Sequence, residues 1–212
     1  MKKGKVLMLA GIVACTLASC LGNDDDNDQK VMTPQEYQKY MTEMSGLYDG
    51  KTYFYNIDRK VDSVVVSAEF LGIGDSTITI SHFPARLLAK CVSDSVVRKA
   101  VENESDLRLK MKYYINAFNN GKLYYGVYPM SVTFEDLEYR NGLHDVTFNF
   151  VNYLNNEGLF MNNATDLNFY LLDMYEDGTQ KETYYSLYDS YNTSNGYFTF
   201  VTSLKKQELI FE

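Results

Sequence analysis

The sequence predicts a mainly β fold with a few short helices, its strands antiparallel and arranged as a barrel or as a two-sheet sandwich. Three observations predict it. Short segments alternate apolar and polar residues, most clearly where Leu107, Leu109, Met111, Tyr113 and Ile115 interleave with Arg108, Lys110 and Lys112. Tight-turn pairs such as Asn141-Gly142 and Asp177-Gly178 separate such segments, and turns that short force antiparallel pairing. The chain also holds 19 Tyr and 12 Phe with no Trp, and tyrosine suits a strand because its ring buries while its hydroxyl reaches water.

The elements follow in order. Residues 1–19 open with Lys2, Lys3 and Lys5, continue as an apolar run from Val6 to Ala18, and end at Leu17-Ala18-Ser19-Cys20. The run is too short for the roughly 20 residues that span a bilayer, and its basic flank and small terminal residues are those of an export signal. Residues 20–32 are an acidic tether. Asp24, Asp25, Asp26 and Asp28 repel one another and nothing nearby is apolar enough to bury. One β-rich domain over 33–212 comes next. Thr33-Pro34-Gln35-Glu36 carries the signals of a helix start: a cap, a first-turn proline and a capping-box glutamate. Tyr37, Tyr40, Met41 and Met44 share a face of that helix, which is expected to cover one end of the β structure.

Strands are predicted over Lys51–Asp58, with Tyr53, Tyr55 and Ile57 on one face, over Val61–Phe70 and over Ser76–Ser81, as a meander. A helical insertion near 84–103 interrupts them. One helix begins at Pro84, and a second follows Ser93-Asp94-Ser95 with Val96, Val97, Ala100 and Val101 on one stripe. Beyond it, strands are expected at Leu107–Ile115, Lys122–Val127, Val132–Arg140, Asp145–Asn152, Leu167–Met174, Glu182–Tyr188 and Tyr197–Ser203. Leu209, Ile210 and Phe211 close the list, Pro129 marks an edge or a break, and the count is nine or ten strands.

Composition bounds the function. Formal charge is −8 and becomes −11 once residues 1–19, with three lysines and no acid, are removed. That balance excludes nucleic acid, whose phosphates need a basic patch, and electrostatic adhesion to anionic lipid. Cys91, in an apolar run, is the one thiol left beside Cys20, so no disulfide framework forms and Cys91 reads as a buried structural thiol. His82 and His144 are the only histidines and read as surface or capping residues. No metal-binding, phosphate-binding or nucleophile-elbow motif occurs. The carboxylate clusters Glu135/Asp136/Glu138 and Asp173/Glu176/Asp177 are the candidates for glycoside chemistry, which needs two carboxylates across a cleft; solvent faces and turns account for both. The sequence designates no catalytic, cofactor-binding or metal residue, and no ligand-binding residue.

The Leu17-Ala18-Ser19-Cys20 segment resembles the lipobox of bacterial lipoproteins. The resemblance implies that Cys20 becomes the first mature residue, with diacylglycerol on its sulfur and an acyl chain such as palmitate on its amine; the membrane is then its partner through that lipid. The acid cluster behind Cys20 is similar to that of Bacteroidetes lipoproteins displayed on the outer-membrane surface, although Leu21, Gly22 and Asn23 precede the first acid; a periplasm-facing position is the alternative. Asp62-Ser63-Val64, Asp75-Ser76-Thr77 and Asp94-Ser95-Val96 look like the short sites that such bacteria O-glycosylate. Asn163-Ala164-Thr165 and Asn192-Thr193-Ser194 match the eukaryotic N-glycosylation pattern, which a bacterial lipoprotein would not normally use.

The segments Met44–Lys51, Ser81–Leu88 and Asn141–Val146 resemble small lipoproteins of gut Bacteroidetes in a domain-of-unknown-function family, a likeness covering nearly the whole mature chain. Gly46-Leu47-Tyr48-Asp49-Gly50 is similar to the opening strand of lipocalin-like bacterial lipoproteins, which implies a lipocalin-like barrel. Neither likeness carries functional residues. The expected function is a non-catalytic binding or accessory module for a glycan, peptide or small apolar ligand, without a cofactor; the alternative is a structural or protein-partner subunit of a surface complex.

Overall fold

Among the described residues eleven strands form, and eight of them curl until they close on themselves. The computed structural model describes residues 32–55, 61–72, 74–152, 156–185 and 196–202, all within one compact unit, Met32–Glu212. Cys20 with its signal and tether, Ile57, the Asn192–Ser194 pattern and Leu209–Phe211 lie outside the described residues. Among the described residues no helix is long and apolar enough to cross a membrane.

The first described element is α1 (Pro34–Met44). Thr33 caps it, and the Glu36 carboxylate accepts from the Thr33 backbone N–H at 2.9 Å, completing the capping box. Strands β1 (Gly46–Tyr55), β2 (Val61–Leu71) and β3 (Thr77–Phe83) form the expected meander, followed by α2 (Ala85–Ala89) and α3 (Ser95–Glu102). The Asp94 carboxylate caps α3 by accepting from the N–H groups of Val96 and Val97. Next come β4 (Leu107–Asn119), β5 (Lys122–Pro129), β6 (Val132–Tyr139), β7 (Gly142–Phe150), β8 (Glu157–Met161), β9 (Ala164–Glu176), β10 (Thr179–Thr183) and β11 (Tyr197–Thr202).

Eight strands close into an antiparallel barrel in the order β1-β2-β3-β4-β5-β8-β9-β11, with β11 pairing back onto β1 at Gly50↔Thr202 through Tyr55↔Tyr197. The long β9 belongs to two sheets. Its first half pairs β8 and β11 in the barrel, and its second half pairs β7 and β10 in a four-stranded sheet completed by β6. Asn156 is buried at the divergence: its carbonyl accepts from Val127 N–H, its amide donates to Val151, and its Oδ1 accepts from Tyr170 N–H.

An eight-stranded barrel leaves an interior that side chains just fill or that holds one small ligand. Here aromatic rings fill it in two groups. Tyr48, Phe70, Tyr113 and Tyr125 meet below α1, with Tyr48 and Phe70 centroids 4.8 Å apart. Phe54, Phe83, Phe169 and Phe198 meet at the other end, near the exit of β3 into α2, with Phe169 and Phe198 stacked at 5.1 Å. The rings fit because glycines face them: a Cβ on Gly50 would stand 2.7 Å from the Phe200 ring, and one on Gly158 would stand 2.0 Å from Tyr125 Cζ. Helix α1 covers the first end as expected, its Met41 carbonyl lying against Gly72 and its Tyr40 ring stacked on Phe118. Helix α3 packs against β6.

Four predictions need correction. Strand β1 starts at Gly46 and not at Lys51; Tyr53 and Tyr55 share a face as expected, and that face points outward, while Tyr48, Thr52 and Phe54 point inward; Phe buries completely at lower cost than a ring with a hydroxyl. Strand β8 was not foreseen, and neither was the Asn162-Asn163 turn that joins it to β9, where both residues take positive φ. The β6–β7 loop is Arg140-Asn141, one residue earlier than Asn141-Gly142, because Tyr139 pairs with Gly142. Strand β10 ends at Thr183, so only the start of the Glu182–Tyr188 prediction is strand; residues 186–188 are outside the described set. The Pro129 expectation holds in its second form, since β5 ends there.

Candidate functional site

The residues singled out for chemistry divide between structural contacts and solvent-facing positions. Cys91 is buried beside Gly196 and Leu171, and burial pushes its thiol far up, away from the reactive thiolate. His82 is exposed. Glu135 and Asp136 sit at a β-bulge and face solvent with Glu138. Asp173 accepts from the Asn149 amide at 2.8 Å. Of the three aspartates in the glycosylation-like triplets, Asp62 bridges Arg86 and Lys90, Asp75 holds Lys112, and Asp94 caps α3. Among the described residues no group of three His, Cys, Asp or Glu side chains is placed to hold a metal ion.

Glu176 and Asp177 belong to a polar cluster that ties α3 to the small sheet. Glu176, 7% exposed, accepts from Tyr139 Oη at 2.7 Å and Arg140 Nη1 at 3.1 Å, and lies 3.3 Å from Lys181 Nζ. Arg140 also pairs with Asp94, and His144 stacks on Tyr139 while its Nδ1 lies 2.7 Å from Asp177. Burial raises the Glu176 carboxyl, but the bonds from Tyr139 and Lys181 outweigh it and the net shift is downward. The His144 bond, then the Asp145 N–H, holds Asp177 low, and the Val97 and Val96 N–H groups hold Asp94 low. Folded values below the unfolded ones mean that the unfolded chain binds more protons in acid. This stability is therefore complete above the ordinary carboxylate range and is lost as pH falls through the folded values. The urea midpoint should hold steady from about pH 7 to about pH 5.5 and fall below about pH 4.5. Glu176→Gln, melted over the same series, should start lower and decline less.

A surface that this architecture leaves open is the outer wall of β4, β5 and β8. Outward positions place Tyr114 opposite Gly126, Tyr124 opposite Leu159, and Tyr128 opposite Lys112. Gly126 lets the end of the Tyr114 ring lie over the backbone, since a Cβ there would stand 2.4 Å from its Cζ. Tyr128, 39% exposed, stacks on Tyr114 with centroids 5.2 Å apart and planes 29° apart. The hydrogen bond to Tyr128, then burial, raises the Tyr114 hydroxyl. Tyr124 is exposed on the same strand, and Met130, the residue just after that strand, is exposed as well. Around the barrel, Tyr170, Tyr197 and Tyr55 form a cross-strand row whose rings pack on each other, and burial pushes Tyr170 up to about 12. That row is largely self-covered; the Tyr114–Tyr128 pair is the more open. The tyrosine bias pointed to a β fold in general, and the pair itself depends on strand register, including the irregularity between Ile115 and Ala117.

A family model described as a domain of unknown function, DUF4840, matches residues 43–176. The match contains both members of the tyrosine pair and stops before β10 and β11, short of the near-complete coverage that the resemblance implied. No curated protein and no solved structure matches the chain.

Proposed function

The chain belongs to the DUF4840 family, and from that premise we propose that it is a non-catalytic binding module, anchored by lipid at Cys20 to the outer membrane of a Bacteroidetes-type bacterium and displayed at the cell surface. The observation that carries the binding role is the Tyr114–Tyr128 pair standing on the outer wall of a barrel whose interior is already filled by rings. A filled interior favours recognition on the wall over enclosure of a small apolar ligand. Ring faces stack against the C–H faces of pyranose sugars, so a glycan is the ligand class best matched to this wall.

The exposed Met130 beside Tyr128 supports a second reading, a subunit that docks a protein partner at the same wall. Melting of soluble Leu21–Glu212 against glycans, peptides, fatty acids and bile acids separates the two. Binding to the native state raises stability by about 2.7 kcal/mol at a hundredfold excess over Kd. Tyr128→Ala is expected to abolish the ligand-dependent rise while moving the unliganded stability by less than about 0.5 kcal/mol, as for other surface changes. A flat panel, with a neighbour recovered by crosslinking on intact cells, would replace the glycan reading with the subunit reading.

A further inference from the structure

The flank of the tyrosine pair carries a charge opposite to that of the protein, and we propose that the wall recognises an acidic glycan, one bearing uronate carboxylates. The proposal rests on the binding reading above. In a chain of net charge −8, three successive outward positions of β4 are Arg108, Lys110 and Lys112, spaced about 7 Å apart by the two-residue strand repeat. Lys112 is occupied: its Nζ donates to Asp75 Oδ1 at 2.8 Å and to Thr77 Oγ1 at 3.0 Å. Arg108 and Lys110 pair with no carboxylate among the described residues, whereas Arg86, Lys90, Arg140 and Lys181 each meet one.

Register joins this cationic edge to the rings. Lys112 stands opposite Tyr128, and the Met130 N–H donates to the Lys110 carbonyl at 2.8 Å, which sets Met130 beside Lys110. The neighbours across β3, Thr77 and Thr79, are buried, and the Thr77 hydroxyl is already bonded to Asp75 and Lys112, so they support the cationic edge from behind. Among the described residues the carboxylates around the wall include Asp75, held by Lys112, Glu69, opposite Thr79 on β2, and Glu157, opposite Gly126 on the far side of the Tyr114 ring. A ligand stacked on Tyr128 therefore meets cations on one side, and carboxylates on that side would be matched. Two exposed charge pairs of ordinary strength amount to about tenfold in affinity.

The experiment uses the full chain in nonionic detergent, titrated with hexagalacturonate, with the neutral galactose hexamer and with hexaglutamate. Hexagalacturonate is expected to bind about tenfold more tightly than the neutral hexamer at 50 mM salt, with the gap closing at 500 mM as screening shortens the reach of the charges. Arg108→Glu with Lys110→Glu should erase the gap without lowering the melting temperature, and Tyr128→Ala should weaken both sugars. Equal binding of the two sugars overturns the acidic preference and leaves the glycan wall standing. Binding of neither sugar overturns both readings. Hexaglutamate binding as tightly as hexagalacturonate also overturns the proposal, because charge alone would then suffice.

Discussion

Replacing Phe198 with alanine is expected to cost about 4 kcal/mol and to lower the melting temperature by about 10 °C. Phe198 sits where the barrel is sealed. Its ring is completely buried, stacks on Phe169 at 12° between planes, and meets Phe54 at 5.3 Å and Phe83 at 5.5 Å. It lies on β11, the strand that pairs both β1 and β9 and so joins the two ends of the sheet. Four rings from four strands cannot all move into the space one of them leaves, and the cavity term adds to the lost transfer energy. Val65→Ala is the control. Val65 is 71% exposed on β2, and its loss should stay within about 0.5 kcal/mol. Urea melts of the two variants check both; a Phe198→Ala cost below 1 kcal/mol would mean that this cluster does not hold the closure.

The features legible in the sequence are those with short-range causes. The Thr33–Glu36 capping box, the helix start at Ser93-Asp94-Ser95 and the alternation from Leu109 to Ile115 each depend on neighbours within a few residues, and each stands in the structure as expected. The phase of β1 was not legible, because Tyr53-Phe54-Tyr55 presents an aromatic to either face and periodicity cannot choose between them. Strand β8 was hidden by its length of five residues, with Gly158 inside it and a turn made of two asparagines behind it. Asparagine reaches positive φ without glycine, so Asn162-Asn163 acts as the same kind of turn as Asp177-Gly178 while lacking its signature.

Closure lay further out of reach. It rests on pairs such as Gly50↔Thr202, between residues near opposite ends of the domain, and nothing local distinguishes that barrel from a sandwich. The candidate site had the same difficulty. Tyr114, Tyr128, Arg108 and Lys110 are all visible as residue types, but their meeting on one wall follows from the β4–β5 register. The helical stripe at Val96, Val97, Ala100 and Val101 was half right: Val97 and Val101 are buried, and Val96 is exposed because Asp94 starts the helix with that side turned outward.

Two glycines under two tyrosines test how far the barrel's stability and its wall are separate. Gly158→Ala puts a methyl 2.0 Å from Tyr125 Cζ and 2.3 Å from its hydroxyl, inside the barrel. Tyr125 has nowhere to go. It is fully buried, meets Phe70 and Tyr113, and its hydroxyl lies 2.6 Å from Thr165 Oγ1. Overpacking and the lost hydrogen bond together set an expected cost of about 3 kcal/mol. In a Tyr125→Leu background the same alanine should cost less than about 1 kcal/mol, a coupling that a double-mutant cycle reads directly. Gly126→Ala makes a similar collision on the opposite face, 2.4 Å from Tyr114 Cζ, but there the ring can swing into solvent. Its stability cost should therefore stay below about 1 kcal/mol, while the Tyr114–Tyr128 stack is lost and glycan affinity falls with it. Reversed outcomes, with Gly126→Ala unfolding the barrel and Gly158→Ala silent, would place the structural weight on the wall and leave the interior rings as the adaptable surface.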